Sequence, residues 1–233
     1  MNWDSIPKPA EIAETRLLEA ILDGSFPIDS TLPGERDLAT QIGVTRPTLR
    51  EALQRLARDG WLDIQQGKPT RVRDYWHEGS LAILAALAQS PQYQSPDFVS
   101  YLLEIRLLLA PTYTRQALAQ SCTQIHTRLE QADQLNEDPT AFAQFDWQLH
   151  YMLTQLADNP VFRLLLNSFE SLYTLMAARY FSFEECRQNS RSFYAALLTC
   201  TDNCDLDAAE ILTRETMQTS LDLWQRLQGS DEE

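Results

Sequence analysis

Two pairs of side chains in this 233-residue sequence stand four residues apart and have chemistry to offer. In IGVTRPTLRE the pair is Arg46 and Arg50, which project from the same side if the stretch is helical. Arginines near a helix N-terminus can fork onto guanine in the major groove or pair with phosphates, and the helix dipole favours the anion. The second pair is Asp146 and His150, a carboxylate and an imidazole that share one face if the stretch is helical. A stable metal site needs about three or four protein ligands. The remaining histidines, His77 and His126, fall near a domain link and on a different helix, so the expectation is no metal site, with His150 a buried, hydrogen-bonded side chain. GxSxG, Walker and dinucleotide fingerprints are absent, and no enzyme is expected.

An arginine pair alone reads as a solvated helix face, so the surrounding elements decide. Ile12, Leu17, Leu18, Ile21 and Leu22 recur near the helical period and stop at Gly24. After the turn-rich SFPIDSTLPGE, Glu35 to Gln41 form a short second helix ended by Gly43, and a third follows in which Leu49, Ala52, Leu53 and Leu56 make one apolar stripe. Its cap is either Thr45, with Pro47 in the first turn where an amide hydrogen has no helical partner, or Arg46, which Pro47 pushes out of the helical region. The third helix ends near Asp59-Gly60, and WLDIQ and TRVRDYW read as strands around Gln66-Gly67-Lys68-Pro69. Helix, helix, glycine-containing turn, helix and basic hairpin together predict a winged helix-turn-helix. Lys68 at the hairpin tip suits the minor groove, or plain solvent exposure.

From Ser80 onward the periodicity is helical only, about seven helices, with breaks at Ser90 to Ser95, Asn136 to Pro139, Asp158 to Pro160, Phe181 to Phe183 and Cys204-Asp205. Pro111 lies inside SPDFVSYLLEIRLLLAPTYTRQALAQS and is expected to kink or split that helix. The predicted fold class is mainly α: a winged helix-turn-helix domain over residues 1–76 and an all-helical domain over residues 77–233.

Net charge is −14, from 33 acids and 19 bases, which by itself disfavours nucleic acid. Between Arg46 and Arg73, however, seven bases meet three acids, leaving that segment at +4 and the remainder at −18. The basic charge is concentrated where the helix-turn-helix is expected. MNWDSIPKPAEIAE lacks the basic flank and apolar run of a signal peptide, and no window approaches the roughly 20 apolar residues of a membrane span. A cytoplasmic protein away from membranes is expected. Cys122, Cys186, Cys200 and Cys204 form no CxxC pair and read as reduced, structural thiols.

The stretch FPIDSTLPGERDLATQIGVTRPTLREALQRLARDGWLDIQQGKPTRV resembles the DNA-binding domain of the GntR superfamily of transcription regulators. LPGERDLA, GVTRPTLREALQRLARDGWL and QQGKPT carry the likeness, and LQRLARDGWL followed by GKPT points to the fatty-acid-responsive branch. Similarity continues through FDWQLHYML, NPVFRLLLNS and LYTLMAARYF, and so covers nearly the whole chain. The resemblance implies DNA contacts at Arg36, Thr45, Arg46, Thr48 and Arg50, with Gly67 and Lys68 at the wing tip. It also implies a homodimer on a palindromic double-stranded DNA operator, repressing fatty acid degradation genes and activating biosynthesis genes. Long-chain fatty acyl-CoA in the helical domain would release it. Pro47 replaces the family's usual threonine and Gln66 a wing histidine.

An acyl-CoA needs an apolar channel for its tail and polar or cationic groups for its head. By the same resemblance, Arg106, Ser220 and Trp224 stand at ligand-contacting positions, with Tyr173 and Tyr180 as wall residues. Thr216 and Met217 replace a tyrosine and a glycine just before Ser220. Without the resemblance, Trp224 among Leu221, Leu223 and Leu227 reads as core. No cofactor beyond the acyl-CoA effector is implied. The alternatives are a metal-dependent sensor of a small carboxylate and an acyl-CoA-binding module that does not use DNA.

Overall fold

The computed structural model describes residues 8–89 and 96–229, in two compact units, residues 1–93 and 94–233. In the first unit, α1 (Pro9–Leu22) buries Ala13, Leu17 and Ile21, while Ile12 lies off that stripe, 38% exposed. Helix α1 packs on α3 (Arg46–Asp59), whose Leu49, Ala52, Leu53 and Leu56 are the stripe expected. Between them α2 (Glu35–Ile42) ends at Gly43, whose φ of +78° is the left-handed conformation that lets the chain turn into α3. No neighbour lies within 4 Å of a Cβ placed on Gly43, so backbone conformation rather than space selects glycine there. Thr45 is the cap of α3; its Oγ1 accepts from the Thr48 amide at 3.4 Å, with Arg46 and Pro47 in the first turn.

The wing is shorter than expected. Strands β1 (Leu62–Asp63) and β2 (Arg71–Val72) pair antiparallel, Leu62 opposite Val72 and Asp63 opposite Arg71. The strand read over TRVRDYW stops at Val72, because Asp74 caps a helical turn, α4 (Tyr75–Glu78), by accepting from the His77 amide at 3.3 Å. Tyr75 packs at a tilt against Trp61, ring centres 4.9 Å apart. Helix α5 (Ala82–Gln89) buries Ile83 and Leu87. Among the described residues, 77–89, expected as the start of the helical domain, fall within the first compact unit. The break expected at residues 90 to 95 lies outside the described residues.

The regular elements among the second unit's described residues are all helical: α6 (Pro96–Leu129), a 3-10 turn (Glu130–Gln134), α7 (Pro139–Leu156), α8 (Pro160–Tyr180), α9 (Glu184–Asn203) and α10 (Leu206–Gly229). Helix α6 packs against α7, α8, α9 and α10. Asp138 and Asn159 cap α7 and α8, accepting from the Thr140 and Val161 amides at 3.1 and 3.0 Å, each followed by a first-turn proline. Helix α6 runs through Pro111; its irregular residue is Ser121 (φ −160°, ψ 88°). Ser121 Oγ accepts from the Gln124 amide at 3.4 Å, so a serine restarts the helix as a fresh cap where a proline kink was expected.

Cys122 follows that break and Cys204 is the left-handed residue that ends α9. The structure joins them by a disulfide with Cα atoms 5.8 Å apart. This corrects the expectation of four reduced thiols: two helix ends far apart in sequence meet, which spacing alone does not reveal. Cys186 is free and buried, and burial pushes its thiol up to about 11. Among the described residues no helix is long and apolar enough to cross a membrane.

Candidate functional sites

In the first unit, Glu35 at the start of α2, Arg50 on α3 and Gly67 and Lys68 on the wing line one open groove. Gly67 takes φ +77° at the tip, with nothing within 4 Å of a would-be Cβ. Thr45, Arg46 and Pro47 are exposed at the N-terminal end of α3, Thr48 is half-buried beside them, and Arg36 is exposed on α2. Thr45 Oγ1 and Thr48 Oγ1 lie 2.8 Å apart, so both hydroxyls share one cap. Lys68 Nζ donates to Gln65 Oε1 at 2.7 Å, which orders the tip without neutralising it.

The structure revises the charge count. Of the seven bases between Arg46 and Arg73, five meet acids, four of those acids supplied from outside that stretch by α1, the link before α2, α2 itself and α4. Arg50 pairs with Glu35 (2.7 Å), Arg55 with Glu51 and Glu14, Arg58 with Asp59, Arg71 with Asp29 and Glu78, and Arg73 with Glu78 (2.9 Å). Among the described residues Arg36 and Arg46 meet no acid. The cations free to meet phosphate or a base edge are thus Arg36, Arg46 and Lys68, with Arg50 held on one side.

In the second unit, three helices each bring a donor to one carboxylate on α7. Asp146, 1% exposed, is 2.7 Å from Arg106 Nη2 of α6 and accepts from Tyr194 Oη of α9 at 2.7 Å and from Tyr173 Oη of α8. Arg106 Nη1 also donates to Tyr173 Oη at 3.0 Å. Burial alone would raise the Asp146 carboxyl, but Arg106 and the tyrosine hydroxyls outweigh it and hold Asp146 below the usual carboxylate range. Burial likewise opposes the charge on Arg106, and Asp146 more than restores it. The ion pair is therefore charged, with Asp146 buried and Arg106 15% exposed.

His150, one turn along α7, accepts a hydrogen bond at Nε2 from Arg106. A guanidinium only donates, so the histidine hydrogen sits on Nδ1, which donates to Tyr113 Oη at 2.7 Å. Burial, with the Arg106 charge beside it, pushes His150 down to about 3, leaving it neutral. Asp146 and His150 thus face a guanidinium cation. Among the described residues no three His, Cys, Asp or Glu side chains converge as a metal ion requires; His77 bonds Asp74, and His126 lies by Thr201 and Asp202.

Arg106 and Tyr173 also separate two cavities. The first is walled by Leu109, Phe162, Leu166 and Phe169, the second by Val99, Leu103, Met176, Tyr180 and Phe181, and Leu102 lines both. The buried Tyr180 hydroxyl makes no hydrogen bond within distance, its nearest polar neighbours being Ser220 and Cys186. The Tyr180 ring is 6.2 Å from that of Trp224. Ser220 donates to the Thr216 carbonyl at 2.9 Å and accepts from Asn189 at 3.0 Å. Trp224 is fully buried, as its leucine neighbours in sequence suggest. Of the five residues assigned to ligand by resemblance, Arg106, Tyr173 and Tyr180 line the second cavity, whereas Ser220 and Trp224 are not among its lining residues. Sequence reasoning missed Tyr113, Tyr194 and Glu35: a lone tyrosine on an apolar helix face looks like core, and Glu35 looks like an ordinary first-turn acid.

A winged helix-turn-helix in one unit and cavities around a buried ion pair in another define a class: bacterial transcription regulators that pair a DNA-binding domain with a ligand-sensing one. Residues 9–72 match the family model described as bacterial regulatory proteins, gntR family, and residues 73–231 match the FadR C-terminal domain. A fatty acid metabolism regulator protein of Cronobacter sakazakii is 39% identical over 220 residues, covering 94% of this chain and 92% of that one. Its counterpart in Shewanella denitrificans is 41% identical over 221 residues, with the same coverage. The solved structure of Lar from Listeria monocytogenes, 14% identical, superposes with a TM-score of 0.63 over 96% of this chain and 100% of that one, a likeness of fold alone. This chain belongs to the FadR family of gntR-type bacterial regulators.

Proposed function

We propose that the chain is a cytoplasmic, DNA-binding transcription regulator of fatty acid metabolism whose effector is long-chain fatty acyl-CoA. Its homodimer binds a palindromic operator, repressing degradation genes and activating biosynthesis genes, and has no catalytic role and no cofactor. Arg36, Thr45, Arg46, Thr48 and Arg50 meet DNA from the helix-turn-helix, and Gly67 and Lys68 meet it from the wing. Pro47 offers no hydroxyl at a position where its relatives' family usually has one, so Arg46, Thr48 and Arg50 carry the reading.

The observation that supports an acyl ligand most directly is that two apolar cavities share Arg106 and Tyr173 as their common wall. A tail lying in the first cavity and running through the second reaches the unpaired Tyr180 hydroxyl, beyond which stand Ser220 and Trp224. Such a ligand must part Arg106 from Tyr173. Because both bond Asp146, which also holds Tyr194, the disturbance reaches α6, α7, α8 and α9 together.

A duplex enriched by the protein from a randomised pool serves as the DNA probe in fluorescence anisotropy. Long-chain acyl-CoA is expected to release it, whereas free fatty acid and a chelator leave it bound. Release by the chelator supports the metal-dependent alternative, and absence of DNA binding at moderate salt supports the acyl-CoA-binding module; either contradicts the proposal.

A further inference from the structure

Arg50 is distinguished from Arg36 and Arg46 by an acid partner lying in the same groove. Glu35 is the first residue of α2, where the helix dipole favours a carboxylate, and its Oε2 accepts from Arg50 Nε at 2.7 Å. Both side chains are exposed, 66% for Arg50 and 41% for Glu35, so the pair adds little to folding. What it does is geometric. Nε is the inner nitrogen of the guanidinium, and no described residue engages Nη1 or Nη2. The outer edge, able to fork onto guanine O6 and N7, remains presented. A carboxylate beside Arg50, in a groove shared with Gly67 and Lys68, also repels phosphate and so works against sequence-independent binding.

We propose that Glu35 is a specificity-determining positioning residue: it fixes the fork of Arg50 toward a base edge and withholds that arginine from the phosphate backbone. The inference rests on the reading of α3 as the DNA-reading helix. Loss of Glu35 frees Arg50 to swing onto phosphates, so discrimination falls while total affinity for DNA does not.

The test compares the duplex enriched by the wild-type protein with a shuffled duplex of the same composition. Glu35→Gln is expected to tighten binding to the shuffled duplex by about three- to tenfold while changing the enriched one by less than about twofold. Glu35→Asp keeps the charge but shortens the reach; it should leave shuffled-duplex affinity at the wild-type level and still lower the ratio. In an Arg50→Ala background, Glu35→Gln should leave the ratio unchanged, because positioning acts through Arg50. An unchanged ratio in the single variant, an equal fall in the Arg50→Ala background, or loss of both affinities with a lowered melting temperature each overturns the proposal. Failure of the wild-type protein to enrich any duplex would instead sink the reading of α3 itself.

Discussion

Asp146 keeps a full charge out of contact with water because three other helices each supply a donor to it. Removing one partner of a buried pair is costly because the other is left charged and unpaired. Arg106→Leu is expected to lower unfolding free energy in urea by about 3–5 kcal/mol, and Arg106→Leu with Asp146→Leu by less than Arg106→Leu alone. Equal or greater loss in the double variant would show that packing, not charge, is what Arg106 provides. His150 gives a pH signature. The unfolded chain takes up a proton at His150 near pH 6.5 and the folded one only at about 3. Between those values the unfolded state binds more protons, so stability falls as pH is lowered, by at most about 1.4 kcal/mol per pH unit. Above pH 6.5 the contribution vanishes. His150→Gln should flatten the urea-measured slope between pH 6.5 and the carboxylate range; an unaltered slope contradicts a neutral, buried His150.

The elements show where local sequence suffices and where it does not. Asp138 and Asn159 were legible as caps because each is a short polar residue directly before a first-turn proline, a pattern set by local backbone chemistry, whereas the sequence left the cap of α3 open between Thr45 and Arg46 and the structure gives Thr45. Thr45→Ala should therefore cost about 0.5–2 kcal/mol in urea unfolding, with no cost if the cap lies elsewhere. Ser121 as a cap inside α6 was not legible, since Pro111 carried the only visible break signal and tertiary packing decides which irregularity is realised. Tyr75 and Trp76 matched a strand pattern, yet the Asp74 cap and the packing of Tyr75 against Trp61 favour a helical turn. The Cys122–Cys204 link depends on two helix ends meeting. Thiol titration of the denatured, unreduced protein should find two reactive cysteines, Cys186 and Cys200, rising to four after reduction; four from the outset would remove the disulfide.

For the whole molecule, the spacing of Asp146 and His150 was visible in the sequence, but the site they belong to was not. Its tyrosines come from α6, α8 and α9, and only folding brings Tyr173 and Tyr194 to the Asp146 carboxylate and Tyr113 to His150. The same holds for charge: a net +4 segment pointed to the right surface, while Glu14, Asp29, Glu35 and Glu78 from outside or beside it decide which cations stay free. The central claim is that acyl-CoA and operator DNA favour alternative states of one protein. Binding linkage is reciprocal, so a ligand that weakens DNA binding must itself be weakened by DNA to the same degree. The direct measurement is the dissociation constant of long-chain acyl-CoA with and without saturating enriched duplex. The predicted result is weaker acyl-CoA binding in the presence of DNA, by about 5- to 150-fold, equal to the factor by which saturating acyl-CoA weakens DNA binding. An acyl-CoA affinity unchanged by saturating DNA would contradict it.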